Sequence, residues 1–430
     1  MKYLPIDNKL FIKNREKFCK KLPAGSIAVF NSNDIMPTNA DGTMKFRQNS
    51  DLFYLSGIDQ EESLLVLFPG FPDKDMQEIL FLRESNDLIA VWEGHKYTKE
   101  EATRVSGIKN VQWLDQFETS FNAMMAGAEY VFLNTNEHIR RSLTEVETRD
   151  TRFIQWCKNK FPLHTYQRSA PIINNLRAIK SAEEIALLQK AIDITEKGFR
   201  RILKFVKPGV MEYEVEAELI HEFTKNRSAG FAYAPIIASG VNACILHYIE
   251  NNSRCKDGEV LLLDVGAEYA NYNADLTRSI PVNGRFTERQ KKVYHAVLKV
   301  QREAFNMLRP GNKISDYQKE VCRIMESELI GLKLISRTDI KNQTREKPAF
   351  KKYFMHGTSH HLGLDVHDVP SIHKKMEKGM VFTVEPGIYI QEEKLGIRLE
   401  NNVVIKENGI DDLMKNIPID LQEIEELMNG

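Results

Sequence analysis

Histidines and carboxylates are concentrated in the last third of this chain. Residues 356–369 read HGTSHHLGLDVHDV and contain four of the eleven histidines together with two aspartates. Imidazole nitrogens and carboxylate oxygens are common protein ligands of divalent metal ions. The segment is therefore typical of a metal site. Which of its histidines binds a metal ion depends on the acids elsewhere in the chain that complete the site.

Two aspartates lie on the first of two apolar segments that have the pattern of β-hairpins. Residues 259–282 read EVLLLDVGAEYANYNADLTRSIPV, and a tight turn at Tyr269-Ala270 places Asp264 directly opposite Asp275. The Cβ atoms of such a cross-strand pair are about 5 Å apart. Two carboxylates at this distance repel each other, so the pattern predicts a neutralising partner.

Two glutamates lie in the same way on the second segment, MVFTVEPGIYIQEEKLGIRLENNVVI, which covers residues 380–405. A turn centred on Glu392-Glu393 places Glu385 opposite Glu400. Because the acids lie among apolar residues, water cannot readily solvate them. Bound cations are therefore the expected way to offset their mutual repulsion. The alternative is that each acid ends a strand or forms a salt bridge.

Four carboxylates and one imidazole suit two divalent ions that share bridging acids. A donor set made mostly of oxygen favours Mn²⁺, Co²⁺ or Fe²⁺ over a thiolate-type zinc site, although Zn²⁺ also fits. We therefore expect two divalent metal ions, with Mn²⁺ as the first choice.

The elements that position these residues divide the chain in two. The first 170 residues alternate β-rich runs (SIAVF, SLLVLF, EILFL, YVFL) with helical stretches, as in an α/β domain. Residues 162–180 carry two prolines and little periodicity, and are interpreted as the join. A chain of 430 residues is also too long for one ordinary core.

The second part of the chain contains the same sequence pattern twice. Ser181 begins a capping box and a long amphipathic helix that ends before Lys207-Pro208-Gly209, and a second helix follows. Thr287 begins another capping box, whose helix ends before Arg309-Pro310-Gly311. The simplest interpretation is a duplicated helix–Pro-Gly–helix–sheet unit within residues 181–405, the alternative being a chance echo.

The overall composition predicts a soluble intracellular protein. A net charge of −1 favours neither nucleic acid nor an anionic membrane as a partner. No apolar run approaches the roughly 20 residues that span a bilayer, and scattered charges near the N-terminus do not suit a signal peptide. Five widely separated cysteines without a CxxC motif predict reduced thiols and a cytoplasmic location.

Taken together, these motifs resemble the metal site of the creatinase/aminopeptidase family with the pita-bread fold. The motifs are two aspartates eleven residues apart, HGTSHHLGLDVHDV, TVEPGIYI and GIRLEN, and FRQNSDLFYLSGIDQEESLLVL near the N-terminus is similar to the aminopeptidase P branch. The resemblance implies an α/β (α+β) protein. Residues 176–430 would form a catalytic pita-bread domain with duplicated halves, and residues 1–175 a smaller creatinase-like α/β domain.

The resemblance also implies roles for individual residues. The five metal ligands would be Asp264, Asp275, His360, Glu385 and Glu400, with Asp275 and Glu400 contacting both ions. Residues expected to line the site or contact substrate are His247, His356, His367, Tyr389 and Arg398. Arg398 is expected to pair with an acid, and His361 to be an ordinary buried histidine.

The implied reaction is removal of one residue from peptides with proline at the second position. A water activated by two metal ions would attack the peptide carbonyl, with Glu385 carrying its proton to the leaving nitrogen. His247 and His367 would stabilise the oxyanion. The N-terminal domain would help to build a homodimer or homotetramer in which Trp92 reaches a neighbouring active site, unless Trp92 is an ordinary interface or core residue.

Two features depart from the family pattern, and several rival functions remain. Asn401 stands where many relatives carry aspartate, and the polar segment 331–352 is interpreted as a surface insertion. A prolidase would use the same chemistry on dipeptides. Methionine aminopeptidase and creatinase fit the motifs less well. A metal-free peptide-binding module is disfavoured because all four acids and the histidine of the ligand set are retained.

Overall fold

The computed structural model describes residues 2–138, 146–369 and 374–430. It divides into two compact units, Tyr3–Arg177 (unit 1) and Ala178–Gly430 (unit 2). Within the described residues, no helix is long and apolar enough to cross a bilayer.

Unit 1 is built on a six-stranded mixed sheet with strand order β4-β3-β2-β1-β5-β6. Its strands are β1 Ser26–Asn31, β2 Ser63–Leu67, β3 Glu78–Leu82, β4 Asn110–Trp113, β5 Tyr130–Leu133 and β6 Thr165–Arg168. Its helices are α1 Lys9–Cys19, α2 Ser50–Ser56, α3 Asp87–Glu93, α4 Lys99–Ser106, α5 Phe117–Met125, α6 Arg149–Lys160 and α7 Ala170–Ala178.

The β-rich runs predicted from the sequence form the centre of this sheet. β1 and β2 are buried along their whole length, and β1 pairs antiparallel with β2 and parallel with β5. Alternate residues of these strands pack against α5, where Phe121, Met124 and Met125 are buried. The predicted join, residues 162–180, contains β6 and α7, and the boundary between the units follows Arg177.

Unit 2 contains two successive sets of elements, each made of a pair of long helices followed by a group of strands. The first set is α8 Ala182–Phe205, α9 Glu212–Lys225, β7 Gly230–Phe231, β8 Ile236–Ser239, β9 Val260–Val265, β10 Ala267–Tyr269, β11 Tyr272–Asn273 and β12 Leu276–Pro281. The second set is α10 Glu288–Met307, α11 Ile314–Gly331, α12 Arg337–Asn342, β13 Val381–Val384, β14 Gly387–Ile390, β15 Leu395–Arg398, β16 Asn401–Lys406, β17 Gly409–Asp412 and α13 Leu421–Asn429.

Both predicted capping boxes are present at the starts of the long helices. The Ser181 side chain accepts the Glu184 amide at the start of α8, and the Thr287 side chain accepts the Gln290 amide at the start of α10. Each helix ends a few residues before its Pro-Gly pair, because proline cannot continue the backbone ladder. The repeated order helix–Pro-Gly–helix–sheet is therefore confirmed.

The predicted register of the first hairpin is wrong by two residues. The turn lies at Ala270-Asn271, both with positive φ (53° and 66°), so Tyr269 pairs with Tyr272. Asp264 consequently faces Thr277 rather than Asp275. Asp275 lies two residues from Thr277 along the partner strand, on the same face as Asp264 and diagonal to it.

The predicted register of the second hairpin is confirmed. Gly387 pairs with Arg398 on one side of the glutamates, and Val384 pairs with Asn401 on the other. Both pairings place Glu385 opposite Glu400. The turn itself spans Gln391–Glu393 and ends at Lys394 in the left-handed region (φ 53°). The predicted surface insertion at 331–352 contains the short helix α12 and is largely exposed.

Candidate metal centre

The two hairpins meet at Thr277 and Glu400. The Glu400 amide donates to the Thr277 carbonyl at 3.0 Å, and the Thr277 hydroxyl donates to Glu400 Oε2 at 2.6 Å. Arg278, which is completely buried, donates from Nη1 to the carbonyl oxygens of both residues. One guanidinium thus fixes the crossing of the two acid-bearing strands.

A tyrosine hydroxyl connects the two aspartates of the first hairpin. Tyr233 Oη lies 2.7 Å from Asp264 Oδ1 and 2.6 Å from Asp275 Oδ1. The other oxygen of Asp264 accepts a hydrogen bond from Arg398 Nη2 at 2.6 Å. Arg398 therefore pairs with an acid, as the sequence predicted, and the register shift leaves the two aspartates on one side of the site.

His360 is oriented with one ring nitrogen towards the acids. Its Nδ1 donates to the His361 carbonyl at 2.9 Å, so in the neutral ring Nε2 carries the lone pair. This nitrogen lies 3.4 Å from Asp275 Oδ2 and 3.4 Å from Glu385 Oε1. The Thr383 hydroxyl accepts the His360 amide and donates to Glu385 Oε1, which holds histidine and glutamate in register.

The ligand atoms of Asp275, His360 and Glu400 all lie within 4.8 Å of one another. The structure thus brings all five predicted ligands into one connected cluster, with Asp264 joined through Tyr233 and Glu385 through His360. Side chains of Asp275 and Glu400 are almost fully buried. An oxygen-rich set with one correctly oriented imidazole fits a divalent cation centre.

The electrostatics of the cluster favour bound cations. Burial, reinforced by neighbouring carboxylates, raises the pKa of Glu385 to about 7 and holds the pKa of Glu400 well above its usual range. Burial also raises the pKa of Asp275. Carboxylates that resist ionisation as a group are stabilised in the charged form by a positive ion.

A chain of hydrogen bonds leads from Asp264 to His356. Arg398 Nη1 donates to the Tyr389 hydroxyl at 2.7 Å, and that hydroxyl donates to His356 Nε2 at 2.7 Å. His356 Nδ1 in turn donates to the Gly357 carbonyl at 2.8 Å. Burial lowers the pKa of His356 to about 4, which keeps the ring neutral and suits it to accept from Tyr389.

The other histidines of interest occupy three different environments. The His367 ring stands edge-on to His360, with ring centroids 4.3 Å apart, and its side chain is exposed. His247 is exposed on the loop between β8 and β9. His361 is buried against Phe382, with centroids 4.2 Å apart, as expected of a core histidine.

Trp92 lies in α3 of unit 1 and is 80% exposed, which rules out the alternative that it is a core residue of this chain. Asn401, the departure from the family pattern, is buried and donates to Asp412 Oδ2 at 2.7 Å. It therefore contacts the neighbouring strand β17 and leaves the predicted ligands unchanged.

Sequence reasoning missed Tyr233 and Thr277. Tyr233 lies 31 residues before Asp264, in a short stretch between β7 and β8 with no pattern that marks it. Thr277 could have been found from its spacing, since it lies two residues after Asp275 on the same strand face.

Comparison with known proteins gives one consistent result. The model of metallopeptidase family M24 matches residues 186–407, and that of the aminopeptidase P N-terminal domain matches residues 11–132. The Xaa-Pro aminopeptidase of Escherichia coli strain K12 is 32% identical over 98% of each chain. Human Xaa-Pro aminopeptidase 3 is 32% identical over 92% of this chain and 78% of its own. A solved structure of E. coli aminopeptidase P, in a low-pH form, has a TM-score of 0.90 at 31% identity and covers 99% of both chains.

Proposed function

Because this chain belongs to metallopeptidase family M24, we propose that it removes the N-terminal residue from peptides that have proline at the second position. The chain is a metallo-aminopeptidase, a metal-dependent hydrolase whose larger unit has the pita-bread fold. The observation that carries the proposal is the buried cluster of four carboxylates and one imidazole at the crossing of the two hairpins.

The proposed metal ligands are Asp264, Asp275, His360, Glu385 and Glu400. When bound, two divalent cations would polarise the scissile carbonyl and lower the pKa of the attacking water. Their proposed identity is Mn²⁺, supported by the oxygen-rich donor set, with Co²⁺, Fe²⁺ and Zn²⁺ as alternatives.

The remaining steps belong to side chains of this protein. Glu385, whose pKa burial raises to about 7, is suited to accept a proton at Oε2 and release it to the leaving nitrogen. His247 and His367 are proposed to donate hydrogen bonds to the developing oxyanion. Arg398 and Tyr389 hold Asp264 and His356 in place, and His356 and Tyr389 are proposed to line the substrate side.

Proline specificity is supported by the names of the relatives and by the aminopeptidase P type of the N-terminal domain. A bond to proline is a tertiary amide with fixed φ and no N–H. Peptidases that bind substrates as a β-strand lose a hydrogen bond there, so a dedicated pocket is needed for this substrate.

We also propose a division of labour between residues 1–175 and residues 176–430, with catalysis in the latter. The α3 residues Leu88, Val91 and Trp92 are 67%, 80% and 80% exposed, and they follow the i, i+3, i+4 pattern of one helix face. An apolar face of this kind suits a contact with a second copy of the chain, as a homodimer or homotetramer, in which Trp92 reaches the partner's substrate site.

A cytoplasmic location is proposed from the thiols. All five cysteines are free, and burial raises the pKa of Cys244 to about 11. Unpaired thiols of this kind persist in a reducing compartment.

The experiment that tests the proposed function is digestion of Ala-Pro-Ala, Ala-Ala-Ala and Ala-Pro by metal-stripped protein, before and after addition of Mn²⁺, with products identified by mass spectrometry. Release of alanine from Ala-Pro-Ala only after metal addition, with slower cleavage of the other two, supports the proposal. Faster cleavage of Ala-Pro indicates a prolidase. Glu385→Gln should abolish turnover, and Glu392→Gln on the exposed turn should leave it intact. Failure to cut any of the three would overturn the proposal.

A further inference from the structure

Glu212 is a completely buried carboxylate that accepts four hydrogen bonds. Its Oε1 accepts the Ser239 amide at 2.8 Å and Asn242 Nδ2 at 3.1 Å. Its Oε2 accepts the Tyr248 hydroxyl at 2.7 Å and the Ser253 amide at 2.8 Å. Glu212 is the first residue of α9, where a negative side chain is also favoured by the helix dipole.

The four donors all belong to one stretch of chain, residues 239–253, here called the His247 loop. A second anchor lies one helical turn along α9, where Asn251 Nδ2 donates to Glu216 Oε2 at 2.9 Å. The Glu212 amide also donates to the Ser253 carbonyl at 2.9 Å. The loop is therefore fixed to α9 by side chains and backbone at several points along its length.

The His247 loop is also packed against the metal centre's supporting residues. Ala243, Leu246 and Tyr248 share an apolar cluster with Leu262, two residues before Asp264, and with Tyr389, which bonds to His356 and Arg398. The Ala243 backbone lies so close to β15 that a Cβ on Gly396 would come within 2.2 Å of its carbonyl oxygen.

Exposure alternates along the loop. Tyr248 is 5% exposed, whereas Ile245 and Ile249 are 52% and 57% exposed and His247 is exposed between them. Tyr248 and Leu246, on either side of His247, are thus held by Glu212 and by the apolar cluster. The backbone at His247 is therefore held between two anchored neighbours.

We propose that Glu212, acting through Tyr248, is a positioning residue that sets the place of His247 for catalysis. This inference rests on the proposed function, because His247 is the group through which Glu212 acts. The hydrogen bonds of Glu212 go to the His247 loop and not to the proposed metal ligands, so its removal should change kcat/KM without changing metal content. Displacement of a catalytic group by about 1 Å costs on the order of 100-fold in rate.

Two variants remove the anchor at different cost. Tyr248→Phe keeps the ring and its packing but loses the hydroxyl that donates a hydrogen bond to Glu212. Glu212→Gln keeps the size of the side chain but places an amide among four donors. We expect kcat/KM on Ala-Pro-Ala to fall at least tenfold in both, with bound Mn²⁺ per chain unchanged. Glu425→Gln is the matched control, since Glu425 is a nearly buried carboxylate that accepts the Phe286 amide at 2.9 Å and contacts no part of this loop.

The decisive test is a double-mutant cycle with His247→Ala. If Glu212 acts through His247, then Tyr248→Phe and Glu212→Gln will lower kcat/KM in the wild type but have little further effect in His247→Ala. Equal falls in both backgrounds would overturn the proposal, since they indicate a general structural role.

Amide hydrogen exchange of residues 240–253, measured by mass spectrometry, tests the anchor without activity. Faster exchange in Glu212→Gln than in Glu425→Gln shows that Glu212 anchors the loop, even if the wild type proves inactive on proline peptides. Unchanged exchange in this segment would contradict it. The failure of the anchor and the failure of the proposed function are therefore distinguishable.

Discussion

The Tyr233 hydroxyl makes the two aspartates of the first hairpin interdependent. A phenol has one proton, so it can donate to only one of the two carboxylate oxygens that lie 2.7 and 2.6 Å away. The second close contact must then be satisfied by a proton on a carboxyl or by a cation nearby. Burial and the charges of both aspartates raise the pKa of Tyr233 well above its ordinary value, so the phenol itself stays protonated.

Tyr233→Phe should therefore weaken metal binding. The variant removes the shared donor that orients Asp264 and Asp275, and loss of such a supporting contact typically costs about 10- to 100-fold in metal affinity. The measurement is a competition titration of Mn²⁺ against a chelator of known affinity.

Tyr294→Phe is the matched control for this titration. Its hydroxyl is buried and donates to the Ile419 carbonyl at 2.8 Å, remote in sequence from the ligands. It should lose some stability but keep the wild-type affinity for metal. Equal metal affinity in Tyr233→Phe and the wild type would show that the hydroxyl does not support the aspartates.

At the level of single residues, the ligand types were predictable and their supports were not. Carboxylates on apolar strands and a histidine cluster are unusual enough to mark a site from sequence. Tyr233 and Arg278 are ordinary residues in ordinary surroundings, and only the folded chain brings their side chains to Asp264 and Glu400. The assignment of each residue to a catalytic role stays a prediction.

The first hairpin depends on one glycine as much as on its turn. A Cβ on Gly266 would lie 1.9 Å from the Ala274 carbonyl oxygen, so only glycine permits this approach beside Asp264 and Asp275. The predicted turn at Tyr269-Ala270 lies one residue too early because it leaves out Asn271, a residue type that adopts positive φ more readily than most. Ala270 and Asn271 both have positive φ in the structure.

Gly266→Ala should destabilise unit 2 and reduce bound metal together. Relief of the overlap requires the two strands to separate, at a cost of about 3 kcal/mol, and the separation moves both aspartates. Urea unfolding and metal content measure the two effects. Gly331→Ala, at the end of α11 with nothing within 4 Å of the new Cβ, is the control and should be neutral or stabilising by up to about 1 kcal/mol. Retention of full metal content in Gly266→Ala would contradict this account of the hairpin.

The loop that carries His360 has a buried ion pair at its end. Lys180 Nζ lies 2.6 Å from Asp368 Oδ2, and each side chain is 1% exposed. The Asp368 amide donates to the His361 carbonyl, the same oxygen that accepts His360 Nδ1. Asp368 therefore helps to fix the orientation of His360, a proposed ligand eight residues earlier in the chain.

Asp368→Asn should destabilise the protein by about 3 kcal/mol, because it leaves the Lys180 charge buried opposite a neutral amide. Equilibrium unfolding in urea measures the loss. A Lys180→Met, Asp368→Leu double variant should recover part of it, since no unpaired charge remains.

Glu407→Gln is the surface control for this pair. Glu407 lies 2.7 Å from Lys378, with side chains 73% and 65% exposed, and its loss should cost less than about 1 kcal/mol. An equal cost for the buried and the exposed pair would show that burial of Lys180 is not what makes Asp368 important.

At the scale of the whole molecule, sequence patterns sufficed for the order of elements. Capping boxes and Pro-Gly pairs fix helix ends locally, and for that reason the repeat in unit 2 was predictable. Strand order in unit 1 was not, because the pairing of β1 with β2 on one side and β5 on the other joins segments far apart in the chain. The predicted join was likewise occupied by β6 and α7, whose short length gives little periodicity.

Removal of metal should lower the melting temperature of unit 2 and leave that of unit 1 unchanged. The proposed ligands all lie in unit 2, and their carboxylates come together from four different strand ends around His360. A cation that binds only the folded state at 100 times its dissociation constant stabilises it by about 2.7 kcal/mol, or roughly 5–10 °C in the melting temperature of a unit of this size. Calorimetry of the protein with Mn²⁺ and with chelator should therefore show one transition that shifts by this amount, which belongs to unit 2, and one that does not.

Asp275→Asn provides the internal check on this assignment. The variant keeps the shape of the side chain but loses the charge between His360 and Tyr233, so it should bind metal poorly and melt at nearly the same temperature with Mn²⁺ and with chelator. A chelator shift as large in Asp275→Asn as in the wild type would mean that the stabilising ions bind elsewhere. A wild type without any shift would mean that the hairpins hold their acids together without a cation, against the electrostatic argument from their burial.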